Sequence, residues 1–312
     1  MSAGWADLAA SLVQGAVNAG PPVALAAIGE VVAERSGVLN LGVEGMMVVG
    51  ALAAFVAAAA TGNPWIGVLA AMAAAAGLGL LHAVLTVSMR ANQVAAGLAL
   101  TILGGGIASY LGQPYAGRPS PRFGVVRIPW LADLPVLGEG VFAQPLLVYL
   151  TAALAGAVWL FLHRTRPGLR LQVVGEAPDT AASLGVRVGL HRYGAVVFGG
   201  VLAGAAGAYL PLFDTPSWDE RIVAGKGWIA VAMVVFGSWG PVRTALGAYL
   251  FGGMTAAQLR LQAFGIRASE AFLHMTPYLF TIVLLVLYSL GRFRRRFGAP
   301  AALGLPYQRG GR

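Results

Sequence analysis

HRTRPGLRLQVVGEAPDTAASLGVRVGLHR, residues 163–192, is a polar island in an otherwise apolar chain. It carries Arg164, Arg166, Arg170, Arg187 and Arg192, with Glu176 and Asp179 as its carboxylates, and apolar runs flank it on both sides. A charge left in hydrocarbon costs about 3 kcal/mol, so this stretch reads as a loop between membrane-embedded segments. Inside it, Gly175 to Gly185 reads as a short separate helix. Pro178 suits a first helical turn, where its missing N–H leaves no bond unmade. Asp179 adds negative charge at the positive end of that helix, and Gly185 can end it with φ > 0. A chain that builds a surface helix in its longest basic loop is presenting that helix to something.

Working outward, 58% of the 312 residues are hydrophobic and 11% charged, with a mean hydropathy of +0.74. A soluble domain carries roughly a quarter charged residues, so the chain reads as an all-α polytopic protein of the lipid bilayer. Apolar runs at 7–29, 42–61, 64–88, 93–112, 144–163, 192–212, 226–240, 243–262 and 274–291 give about nine spans, within a range of eight to ten. None alternates with period two, which argues against a β-barrel. The N-terminus lacks a basic n-region, so the first run is expected to stay as a span. Residues 1–312 read as one transmembrane domain, with a proline-rich outer loop at 113–143, the island at 164–192 and a basic tail at 292–312. A second outer loop is expected from Phe213 to Gly225. Asn63–Ala71 and Gly240–Ala248 each follow an apolar run and open on a proline, a faint echo of an inverted repeat.

Nine spans put the two ends on opposite faces. With the C-terminus cytoplasmic, the inner side holds Arg35, Arg90, the five island arginines, Arg243 and the six arginines from Arg292 onward. The outer side holds only Arg118, Arg122, Arg127, Arg221, Lys226, Arg260 and Arg267, and this two-to-one bias favours N-terminus out, C-terminus in. Positive charge placed beside spans is a topology signal, so the net charge of +9 does not imply a nucleic-acid partner. With no cysteine and four scattered histidines, neither a disulfide framework nor a metal site is expected. The 44 glycines favour close helix approach, although a compositional bias accounts for part of them.

Polar residues at membrane depth are functional candidates. Glu30, Glu34, Arg35, Asn40 and Glu44 fall within one short stretch between two apolar runs. Asn40 and Glu44 would share a helix face, as would Glu30 and Glu34, with Arg35 as a nearby counter-charge. The stretch reads either as the wall or gate of a cavity, re-entrant in form, or as a solvated inner loop tied by ion pairs. Asn92 reads as an N-cap, and Gln93 after it is a candidate to face a pore. Lys226, the single lysine, and Trp228 enter a span near the outer surface, as a snorkelling cation and an interfacial ring or as a platform for a planar ligand. Asn40, Glu44, Gln93 and Trp228 are therefore the candidate translocation path. GxSxG, HExxH and GxxxxGK[ST] are all absent, so uphill transport would need ATP and Mg handled by another chain. An intramembrane enzyme using Glu30, Glu34 and Glu44 is the reading from a different functional class.

Three segments resemble a bacterial ABC-transporter permease of the branch serving branched-chain amino acids, simple sugars and nucleosides. ERSGVLNLGVEGMM at 34–47 is similar to the signature of its nucleoside-type members. Gly175, Glu176, Ala177 and Pro178, with Asp179, Ala181, Ala182 and Gly185, resemble the cytoplasmic EAA-like loop, in a degenerate form. GKGWIAVA at 225–232, on to Gly240-Pro241, resembles a late block of the branch. The resemblance covers about residues 20 to 290. It implies a non-enzymatic permease subunit of the bacterial inner membrane that moves nucleosides or purine-like solutes inward, with simple sugars or branched-chain amino acids as the alternative. It also implies a longer homologous permease as heterodimer partner, an ATPase that binds ATP and Mg, and a substrate-binding lipoprotein outside. The residues from Gly175 to Gly185 would form the coupling helix, and this chain itself would hold no cofactor.

Overall fold

Two prolines sit inside the first helix without ending it. In the computed structural model, which describes residues 5–134, 138–263, 298–308 and the single positions 275, 279, 282, 283 and 286, α1 spans Trp5–Arg35 and holds Pro21 and Pro22. The run expected to stop at residue 29 continues to Arg35 and carries Glu30 and Glu34 into the core at 1% exposure each. A helix can do this only when the carboxylates find partners, and both do, as described below.

α2 (Val43–Thr61) ends at Gly62, whose φ of 69° closes the helix in the left-handed region. α3 (Pro64–Ala83) opens on Asn63, whose side chain accepts from Trp65 N, with Pro64 in the first turn. A π-turn at Val84–Ser88 follows, and α4 (Gln93–Gly112) starts under Asn92, which caps Ala95 N as its sequence suggested. After the outer-loop segment come α5 (Gly138–Phe142), α6 (Leu146–Arg164), α7 (Arg166–Glu176), α8 (Pro178–Ser183), α9 (Val188–Tyr209), α10 (Lys226–Phe236) and α11 (Pro241–Ala263). The two proline-led segments of the faint repeat both begin helices, α3 and α11.

α1 packs on α9, α10 and α11, and α2 lies between α3, α4 and α9. α1 and α9 are 78% buried over their apolar windows, against 28% for α4 and 33% for α6, so α1 and α9 form the interior and α4 and α6 the outside. Small residues allow this density: a Cβ on Gly50 would stand 2.8 Å from Gly204 Cα, so α2 and α9 meet backbone to backbone.

Six helices among the described residues are long and apolar enough to cross a membrane, where about nine spans are expected over the whole chain. Three expectations change. α10 has 11 residues and rises about 16 Å, roughly half a hydrocarbon core. α11 is long, while the run at 274–291, apart from positions 275, 279, 282, 283 and 286, and the tail residues 292–297 and 309–312 lie outside the described residues. The protein is not wholly α: Val125–Arg127 (β1) pairs antiparallel with Ala143–Pro145 (β2). The island holds two helices, α7 and α8, and its last residues from Val188 belong to α9, because Arg192 is drawn into the core.

The two expected outer loops pack on each other. Gly117 N donates to Trp218 O at 3.0 Å and Ser120 N to Pro216 O at 3.0 Å. Trp218 is buried against Phe55 of α2.

Candidate functional site

The polar stretch after α1 is neither a solvated loop nor a helix. Ser36 to Gly42 is a buried, extended connector that folds back between α1 and α4. Leu39 N donates to Gln93 Oε1 at 2.7 Å, at the start of α4, and Leu41 O accepts from Thr101 Oγ1 at 2.9 Å. Those two anchors come from side chains eight residues apart on α4, so the connector runs alongside the first turns of that helix. His82 Nε2 lies 3.0 Å from Leu39 O on the α3 side.

Asn40 sits at the centre of this connector and is fully buried. Its N–H donates to Glu30 Oε1 at 2.9 Å, its Nδ2 donates to Glu30 Oε2 at 3.3 Å, and its Oδ1 accepts from Gly42 N at 3.0 Å. Asn40 therefore joins the connector to α1 and does not share a helix face with Glu44. Glu34 accepts from the indole N–H of Trp239. Arg35, expected as a counter-charge for the glutamates, instead donates Nε to Trp239 O at 3.1 Å.

Glu44, in the first turn of α2, holds the N-terminus of α10. Its Oε1 accepts from Gly225 N at 2.8 Å and its Oε2 from Gly227 N at 2.6 Å. The first N–H groups of a helix have no partner within it and carry partial positive charge, so a carboxylate is the natural acceptor. Glycine at 227 is required here, since a Cβ would stand 2.6 Å from Glu44 Cα. Gly225 and Gly227 thus lie at the beginning of α2. Trp218 rests on Phe55, eleven residues further along α2 than Glu44. The segment after Trp218 thus runs back along α2 before the short α10 begins.

Of the candidate path residues, the structure brings Asn40 and Gln93 onto one connector and sets Glu44 just beyond it, all engaged by protein groups. Trp228 stands apart, 38% exposed on α10. Gln93 Nε2, His82 Nδ1 and Glu34 Oε1 are buried without a hydrogen-bond partner among the described residues.

The island forms a second face. Thr165 Oγ1 caps Gly168 N at the start of α7, and Pro167 lies in its first turn. α8 begins at Pro178 with Asp179 in its first turn, and Gly185 follows with φ 79°, as the sequence indicated. Glu176 and Asp179 are exposed, Ala177, Pro178 and Ala182 half-buried, and Ala181 buried. A Cβ on Gly175 would lie 2.2 Å from Arg35 O, so the end of α7 rests directly on the α1–connector junction.

Sequence reasoning missed the group that ties this face together. Arg192, 1% exposed on α9, donates Nε to Ser36 O at 3.2 Å and Nη1 to Leu305 O at 3.1 Å. The segment 298–308 docks on α7 through Ala302 N to Gly175 O at 2.9 Å and Ala301 N to Glu176 Oε2 at 3.1 Å. Arg192 was legible only as one more loop arginine, because its acceptors lie 156 and 113 residues away.

The family model described as "Branched-chain amino acid transport system / permease component" matches residues 12–288. Over 97% of its length the chain is 39% identical to TsgC13 of Haloferax volcanii, covering 99% of a protein assigned by inference as a glucose ABC transporter permease. It is 35% identical to NupQ, the guanosine ABC transporter permease protein of Bacillus subtilis, over 93% of this chain and 94% of that one. It is 34% identical to NupC, the nucleoside ABC transporter permease protein of Lactococcus lactis, over 92% and 93%. No solved structure matches the chain.

Proposed function

This chain belongs to the branched-chain amino acid transport system / permease component family, and on that premise we propose that it moves a neutral ring-bearing solute, a nucleoside or purine-like compound, into the cell. It is a multi-pass, non-catalytic permease subunit of an ABC importer, a class that works with an ATPase and a binding protein.

The observation that carries the substrate reading is the occupied end of α10. Transporters present the positive N-termini of broken helices to anionic groups of their substrates. Here both oxygens of Glu44 already hold that terminus, which disfavours recognition of an amino-acid carboxylate there and suits an uncharged solute. The nucleoside and guanosine permeases among the relatives support the nucleoside choice. The glucose permease relative supports a second reading, a simple sugar. Uptake of labelled adenosine by cells carrying the complete transporter, with guanosine, glucose and leucine as competitors, separates the two. Guanosine should compete strongly and leucine not at all. Competition by glucose alone would replace the nucleoside with the sugar, and competition by leucine would overturn the argument from Glu44.

In this reading Trp228, on the free face of α10, borders the path, while Asn40, Glu44 and Gln93 support it from behind. Glu176, Asp179 and their neighbours from Gly175 to Gly185 meet the ATPase, where ATP and Mg are used. The charge bias supports a cytoplasmic location for this face and an N-terminus outside. A second, longer permease completes the pathway as a heterodimer, and a lipoprotein delivers the solute.

A further inference from the structure

Four helices enclose a groove for which neither transport nor coupling gives a role. α1, α6, α7 and α9 line an apolar cavity of about 520 Å³, with Val32, Leu154, Phe161, Leu171 and Phe198 on its walls. Leu190 and His191 line both this cavity and a second one of about 290 Å³, whose walls add Arg170 and Arg187 together with Leu184 and Gly185 at the end of the proposed coupling segment. An apolar slot thus adjoins, at Leu190 and His191, a pocket bearing two guanidinium groups, and neither lining includes a carboxylate. Arg170 and Arg187 are both exposed, and neither guanidinium is hydrogen-bonded to another described residue.

The surroundings place this junction at a membrane–water interface. Trp159, on α6, stacks on His163 with ring centroids 5.4 Å apart, and Arg164 and Arg166 follow directly. Tryptophan followed by cations is the pattern of a headgroup boundary. α7 exposes Leu169 and Val173 while carrying Arg166 and Arg170, the make-up of a helix lying in that boundary.

We propose that this groove binds an anionic phospholipid, with an acyl chain between α6 and α9 and its phosphate between Arg170 and Arg187. The apolar slot excludes a free phosphate as the natural ligand, and the paired arginines select against a zwitterionic headgroup. Because α7 forms one wall, the lipid would fasten the base of the α7–α8 face to the bilayer. The proposal stands whichever solute is carried.

The test reconstitutes the complete transporter in nanodiscs of equal phosphatidylglycerol and phosphatidylcholine, then counts retained lipids by native mass spectrometry. Two arginine contacts predict roughly 30-fold preferential retention of phosphatidylglycerol. Arg170→Ala with Arg187→Ala should bring the two lipids to parity, whereas the paired lysine variant should keep most of the preference. Gly194 lines the apolar slot, and a Cβ there would meet nothing within 4 Å, so Gly194→Leu should fill the slot without disturbing the core and release the lipid. Added inorganic phosphate should not displace it. Equal retention of the two lipids by the unaltered protein would overturn the proposal, as would a preference that survives the double alanine change. Since the chain has no cysteine, a Gly194→Cys variant also reports what covers the groove. Efficient cross-linking of that thiol to the second permease would make the groove a subunit interface and reject the lipid.

Discussion

Glu44 commits both carboxylate oxygens to one helix end, and the cost of removing it follows from that. Truncation to alanine leaves the N–H groups of Gly225 and Gly227 without an acceptor in a partly buried site. Two charge-assisted bonds lost this way cost about 3 kcal/mol. The Glu44→Gln variant keeps one carbonyl acceptor but no charge, and should lose about half as much. Thermal melting of the purified transporter should rank the three proteins in that order; a glutamine variant no less stable than the parent would show that charge at the helix end is unimportant. What was legible at this scale was local. Asn92 could be read as a cap because its acceptor role reaches only three residues on, to Ala95. The bond between Asn40 and Glu30 could not, because the two stand ten residues apart and the chain reverses direction between them.

At the scale of the element, α10 is held at both ends by the α1–α2 unit. Glu44 takes its N-terminus, while Glu34 and Arg35 take the residues just beyond its C-terminus through Trp239. Ser238 and Trp239 have φ of 53° and 55°, a left-handed pair that costs about 1–2 kcal/mol per residue outside glycine. The clamp from α1 offsets that strain. Trp239→Phe preserves the ring packing but removes the indole donor, leaving buried Glu34 without its partner. A loss of about 2 kcal/mol is expected, and it should disappear when Glu34 is also changed to leucine. Additive losses in that double-mutant cycle would mean the two side chains act independently. Hydropathy found α2, α3, α4 and α6 to within a few residues because apolar length is a local property. It overran α10, whose apolar run continues through Gly237 to Trp239 although the helix stops. It also cut α1 short, because partnered glutamates look the same in sequence as solvated ones.

Over the whole molecule, the proposed coupling face and the helical core meet at Arg192. Its guanidinium joins the docked 298–308 segment to Ser36, and Ser36 opens the connector that reaches Glu30, Gln93 and finally Glu44. The end of α7 rests on the same junction at Arg35. A displacement of the α7–α8 unit therefore has a short route to α10 through this junction. Two kinds of variant separate receipt of the ATPase stroke from its transmission. Changing Glu176 and Asp179 together to alanine removes the exposed carboxylates of the proposed ATPase face, together with the contact of Glu176 to Ala301 N, so substrate-stimulated ATP hydrolysis and uptake should fall together. Arg192→Ala keeps Glu176 and Asp179 in place but cuts the links of α9 to the connector and to the 298–308 segment. ATP hydrolysis should then persist while solute moved per ATP drops severalfold. Arg192→Lys can restore one of the two carbonyl contacts and should recover part of the ratio. The measurement is uptake and phosphate release in the same proteoliposomes, with folding verified by the elution profile of the complex. An Arg192→Ala transporter that lost hydrolysis and uptake in equal proportion would place the arginine in the docking surface rather than on the route behind it.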